Sequence, residues 1–145
     1  MTDFPDHQAV ARSEYLRLCQ LIGGRPPLGD CQLVALMLAR AVKGQIATGI
    51  VEVSTGHRFW HYWAEDVTET RFDCLADDWD PSIGVVQAYE RTGFVPESNV
   101  LAELRHFLEP FDWVPAGWTP TFPLRFALAS ELLTGKTEPL QQDSA

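Results

Sequence analysis

Positive charge is what this chain has least of: 11 lysines and arginines stand against 20 aspartates and glutamates, a formal charge of -9 with a sequence pI near 4.7. Nucleic acids and anionic membrane surfaces are bound through clustered cations, so neither is expected as a partner. Cysteine is also sparse. Cys19, Cys31 and Cys74 are odd in number, widely spaced and without a CxxC pair, a usage that argues against a disulfide framework or a paired-thiol metal or redox site. A reduced, cytoplasmic chain fits best. The opening residues, MTDFPDHQAV, lack the basic stretch and apolar run of a standard secretory signal, which leaves only delivery by some other route outside the cell. Long apolar runs are missing too. The longest, Leu33 to Ala39, is far short of the roughly 17 to 25 residues of a membrane-spanning helix, so a soluble protein is expected. Internal repeats and low-complexity segments are absent.

What is present is 145 residues with 46% hydrophobic content, which suits one compact domain with its own core. We place that domain at residues 1–135. Residues 136–145 mix charged and polar groups without a core pattern and read as a flexible tail.

Residues 8 to 22 predict a helix, because Ala11, Tyr15, Cys19 and Ile22 recur at three- and four-residue steps. Glycines and a proline pair in GGRPPLG end it and deliver Asp30. Cys31 to Val42 is apolar at nearly every position and predicts a sheathed central helix capped by Asp30, with Cys31 in its first turn. Ile50, Val51, Val53 and the segment from Arg58 to Ala64 carry the β-branched and aromatic residues of sheet, with Ser54-Thr55-Gly56 as the turn between two antiparallel strands. In the second strand Phe59, His61 and Trp63 share one face, and Trp60, Tyr62 and Ala64 the other. Thr70 to Leu75 predicts a further strand bearing Asp73. Residues 81–91 admit two readings: a helix capped by Asp80-Pro81 that stops before Gly93, or a short edge strand at Ile83–Val86 with a turn. Ser98 to Leu108 and Phe122 to Leu133 predict two more helices, joined by a Pro- and Trp-rich link that is a packed loop or a lid.

The chemical signal is the order Cys31, His61, Asp73. A sulfur at a helix start lies beside free backbone N–H groups and the positive end of the helix dipole, which favour a thiolate and could polarise an acyl oxygen. A strand histidine facing that start could exchange a proton with the sulfur, and a carboxylate on the adjacent strand could orient its other nitrogen. Each residue also has a bland reading: an inert helix cysteine, a core histidine packed among aromatics, and a strand carboxylate paired with Arg71 or Arg58.

The segments GDCQLVALMLARAVKG, FWHYWAE and TRFDCLADDW resemble the nucleophile helix, histidine strand and aspartate strand of the transglutaminase-like branch of the papain-like cysteine peptidase superfamily. The resemblance covers roughly residues 29 to 86. It implies an α+β fold with a central Cys-bearing helix packed on an antiparallel sheet and additional C-terminal helices. By the same resemblance, Cys31 is the nucleophile, His61 the base and then the acid, and Asp73 the orienting residue of a thioester mechanism. The sequence departs from the family in having Leu75 where a hydroxyl residue is common and Asp78 where a glutamine follows. No motif fixes an upstream glutamine as oxyanion donor. Gln8 and Gln20 are loose candidates, and the hole would rest on backbone N–H groups, chiefly that of Cys31.

The competing features carry less. His57 adjoins Gly56 in turn geometry and reads as a solvated histidine, Cys19 and Cys74 read as packing residues, and Asp77 to Asp80 lack the ligand spacing of a calcium loop. A zinc site of Cys31, His57, His61 and Asp73 would need two histidines about 13 Å apart by strand rise alone. No metal or cofactor is therefore expected. Trp60, Trp63, Trp79, Trp113 and Trp118 are core or groove residues. The expected function is a cysteine-dependent hydrolase acting on a peptide or carboxamide bond, a peptidase, amidase or deamidase, with a peptide or protein as substrate. The alternatives are an acyl-transferring or crosslinking enzyme, and a noncatalytic adaptor that binds a protein through an aromatic patch near Trp113 to Trp118. Composition leaves the oligomeric state open.

Overall fold

The computed structural model describes residues 6–26, 28–73, 86–109 and 123–134. Within them the fold is α+β, with four α-helices and a four-stranded antiparallel sheet. Helix α1 spans His7–Ile22 and begins where the Asp6 carboxylate accepts from the Ala9 N–H at 3.2 Å. It ends at Gly23, whose left-handed φ of 72° suits a residue without a Cβ. A single turn of 3₁₀-helix at Leu28–Asp30 leads into α2, Cys31–Val42. Strands β1 (Gln45–Val53) and β2 (Arg58–Glu65) form the expected hairpin, β3 is only Arg71–Phe72, and β4 is Val86–Val95. Helices α3 (Glu97–Leu108) and α4 (Pro123–Thr134) complete the described chain.

The sheet order is β3-β2-β1-β4. β1 pairs with β2 from Gln45 opposite Glu65 to Glu52 opposite Arg58, which sets His61 across from Gly49 and Trp63 across from Ala47. One face of the hairpin contributes Ile46, Tyr62 and Ala64 to the large core, where α2 is buried from Leu33 to Ala39 and packs against α1 and α3. The opposite face carries a smaller cluster, in which Ala47, Val51, Val53 and Trp63 pack with Phe59, Val86 and Tyr89. A period of two divides β2 between these faces as its sequence predicts.

Two readings of the sequence are corrected here. Residues from Val86 on are a strand that runs through Gly93 to Val95, neither a helix nor a strand ending in an early turn. Its pairing with β1 shifts register between Thr48 and Gly49 and again between Glu52 and Val53, which spoils the alternation that would have marked it as sheet. Gly49 is needed at the first irregularity, since a Cβ there would collide with the Glu90 carbonyl oxygen. The aspartate strand is also shorter than Thr70–Leu75, because its ladder stops at Phe72 opposite Ala64. Cys74, Leu75, Asp78, the acidic cluster at 77–80, the tryptophans Trp79, Trp113 and Trp118, and the tail at 136–145 lie outside the described residues, as does the link from 110 to 122. Among the described residues no helix is long and apolar enough to cross a membrane.

The sheet is curled. In a flat sheet with strands about 4.8 Å apart, β4 and β3 would be separated by roughly 14 Å. Yet Tyr89 of β4 donates a 2.5 Å hydrogen bond to Asp73, the residue that follows β3. The smaller cluster therefore lies on the concave side.

Candidate active site

His61 occupies the middle of β2 on this concave face and is only 1% exposed. Its ring lies edge-on to Phe59 at 5.8 Å and near-parallel to Trp63 at 6.3 Å between centroids, so aromatic neighbours fix its plane. Asp73, 3% exposed, presents both carboxylate oxygens to His61 Nε2 at 3.1 Å. With Nε2 taken, the remaining ring nitrogen is Nδ1, which is buried without a hydrogen-bond partner.

Cys31 is the first residue of α2 and is partly exposed. It lines a small cavity of about 10 Å³ together with His61, Asp73, Tyr62, Trp63 and the α2 residues Val34, Ala35 and Leu38. Burial pulls the pKa of His61 down, but the charge of Asp73, the bonds to it and the neighbouring Cys31 sulfur outweigh that effect and raise it to about 10. The sulfur thus acts on the ring as a close neighbour rather than through a completed hydrogen bond. The three residues singled out in the sequence are brought to one place.

Asp30 departs from expectation. It stands at the N-cap position of α2, but its side chain makes no cap hydrogen bond. The carboxylate is fully buried and accepts from the Leu124 N–H at 3.1 Å, with Arg125 Nε 3.2 Å away. Burial pushes its pKa up, opposed by the Leu124 N–H and the Arg125 charge. Asp30 therefore caps the start of α4 across the molecule, and the first turn of α2 is left without a side-chain cap. Arg125 also donates to the Gly29 carbonyl at 2.8 Å, so α4 is tied to the residues immediately before the sulfur.

The other sequence candidates lie elsewhere. His57 is exposed, its Nδ1 paired with Thr55 Oγ1 at 2.8 Å. Gln8 and Gln20 sit on the exposed side of α1 and do not line the cavity. Cys19 packs against the large core, and Trp63 is buried whereas Trp60 is 52% exposed. No group of three metal-binding side chains occurs among the described residues.

Tyr89 was not anticipated. Besides its bond to Asp73, its ring meets Trp63 edge-on at 4.9 Å and carries the Arg71 guanidinium 3.8 Å above it. The available signal was an aromatic in the otherwise polar run QAYERT, but its use depends on the curl of the sheet. Comparison with protein-family models, with curated proteins and with solved structures gave no match for this chain.

Proposed function

We propose that this chain is a cysteine-dependent hydrolase of peptide or carboxamide bonds, built on a transglutaminase-like variant of the papain-like core. One observation carries the reading: a partly exposed cysteine at a helix start and a buried histidine held by a buried aspartate line the same cavity. An isolated core histidine would have no use for a carboxylate on one side and a sulfur on the other.

In the proposed reaction the Cys31 thiolate attacks the carbonyl carbon. The cavity is too small for a substrate group, so the carbonyl approaches Cys31, a partly exposed residue, from outside it. The oxygen takes up the negative charge opposite backbone N–H groups at the start of α2, which Asp30 leaves uncapped. As the C–N bond breaks, imidazolium His61 gives its proton to the departing amine or ammonia, and a thioester forms. Neutral His61 then takes a proton from water as the water oxygen attacks the thioester carbonyl; the C–S bond breaks, the carboxylic acid departs, and the Cys31 thiolate is regenerated beside imidazolium His61. Asp73 keeps the ring oriented through Nε2 at both stages.

The test has two parts. Iodoacetamide at neutral pH should alkylate Cys31 about tenfold or more faster in the wild type than in H61A, the size of effect a positioned proton acceptor commonly gives. A peptide library should then yield new amines or ammonia in a reaction lost in C31A. Equal alkylation in the two proteins, or product formation that survives C31A, would overturn the assignment. Acceleration by an added amine with amide product would redirect it to acyl transfer.

A further inference from the structure

The ladder between β2 and β3 ends at Phe72, so backbone pairing does not hold Asp73. Its carboxylate must nevertheless keep both oxygens equidistant from His61 Nε2, at 3.1 Å. Strand β4, at the opposite edge of the sheet order, supplies a hydroxyl that donates to Oδ2 of the same carboxylate at 2.5 Å. The tyrosine bearing it is itself constrained. Trp63 abuts one side of the ring, Arg71 covers a face, and its backbone pairs with Val51 of β1. A phenol so fixed costs little further ordering entropy when it bonds the carboxylate.

We propose that Tyr89 is a positioning residue for the histidine, a role that rests on the hydrolase reading above: its hydroxyl fixes the Asp73 carboxylate, which in turn fixes the His61 ring toward the Cys31 sulfur. The chain of contacts runs from β4 to the residue after β3, then to β2 and to the start of α2. A merely structural tyrosine would need a partner for its partly buried hydroxyl, but not one that orients the only buried histidine among the described residues. Through one charge-assisted bond, the hydroxyl also draws on the carboxylate lone pairs that compete for the imidazole proton.

The test is a cycle of Y89F, D73N and the double variant, each checked for retention of fold by circular dichroism. Y89F should slow Cys31 alkylation at neutral pH about threefold to tenfold, the loss expected of one hydrogen bond to a charged group acting at one remove. In the D73N background the same change should have no further effect. Independently of thiol chemistry, the ring-nitrogen resonances of His61 should move in Y89F by nuclear magnetic resonance. Unchanged alkylation and ring resonances, or an equal loss with and without Asp73, would overturn the proposal. If alkylation proves independent of His61 while the ring resonances still respond to Y89F, the hydrolase reading fails and the Tyr89–Asp73–His61 coupling stands. If Y89F does not fold, the hydroxyl resonance of Tyr89 in D73N decides: displacement from its wild-type position supports the coupling, and an unmoved signal refutes it.

Discussion

The two sides of the curled sheet solve different problems with the same kinds of aromatic and aliphatic side chain, in a large core on one side and a small cluster on the other. On the helical side, Leu18, Leu36, Leu38, Leu124 and Leu128 fill most of the interior with hydrocarbon. On the concave side, Phe59 and Trp63 flank His61, Tyr89 bonds Asp73, and Trp63 itself donates to Glu65, which is paired with Arg91. The first interior gains stability simply by excluding water. The second uses packing to hold polar groups in set directions, and each of those groups is expensive to bury alone. Stability and chemistry are therefore separable here by substitution.

The sharpest way to break that separation is on the helical side. Leu36→Ala should lower unfolding free energy by about 2–5 kcal/mol in urea titration, while the folded fraction keeps its His61-dependent alkylation; loss of both together would mean that the two interiors are one. Next comes the junction. Asp30→Ala strips the Leu124 N–H of its acceptor and Arg125 of its counter-charge, with an expected cost of about 1–3 kcal/mol by the same titration. On the concave side the signature is pH. Because the folded pKa of His61 lies near 10 and the unfolded one near 6.5, its stabilisation is full below about pH 6.5. It falls as pH rises through 10, with a slope of up to about 1.4 kcal/mol per unit. Denaturation across that range should show the decline in wild type and a shallower one in H61Q. The smallest effect is expected on the surface, where Glu14→Ala removes the Arg17 pair of α1 and should shift stability by about 0.5 kcal/mol or less.

The sequence made the helical side easy to read and the concave side only half so. Helical spacing in Ala11, Tyr15, Cys19 and Ile22 and the unbroken apolar run of α2 are local patterns, and the observed boundaries fall within one residue of those expected for both helices. Cys31, His61 and Asp73 were legible as a set because two lie on elements with strong periodicity and the third follows closely. Tyr89 was not, since β4 pairs irregularly and its partner lies across a curl that no local pattern encodes. The Asp30 reading failed for a related reason. A carboxylate before an apolar helix is the ordinary mark of an N-cap, but this one is taken by a helix 94 residues further along.

That long reach has a bearing on how the protein is made. The turn that presents the sulfur is completed only after residue 124 has been synthesised, at translation rates of about 5–20 residues per second some seconds after Asp30 leaves the ribosome. Until then the carboxylate has neither of its α4 partners, and Cys31 stands on an unfinished support in the nascent chain.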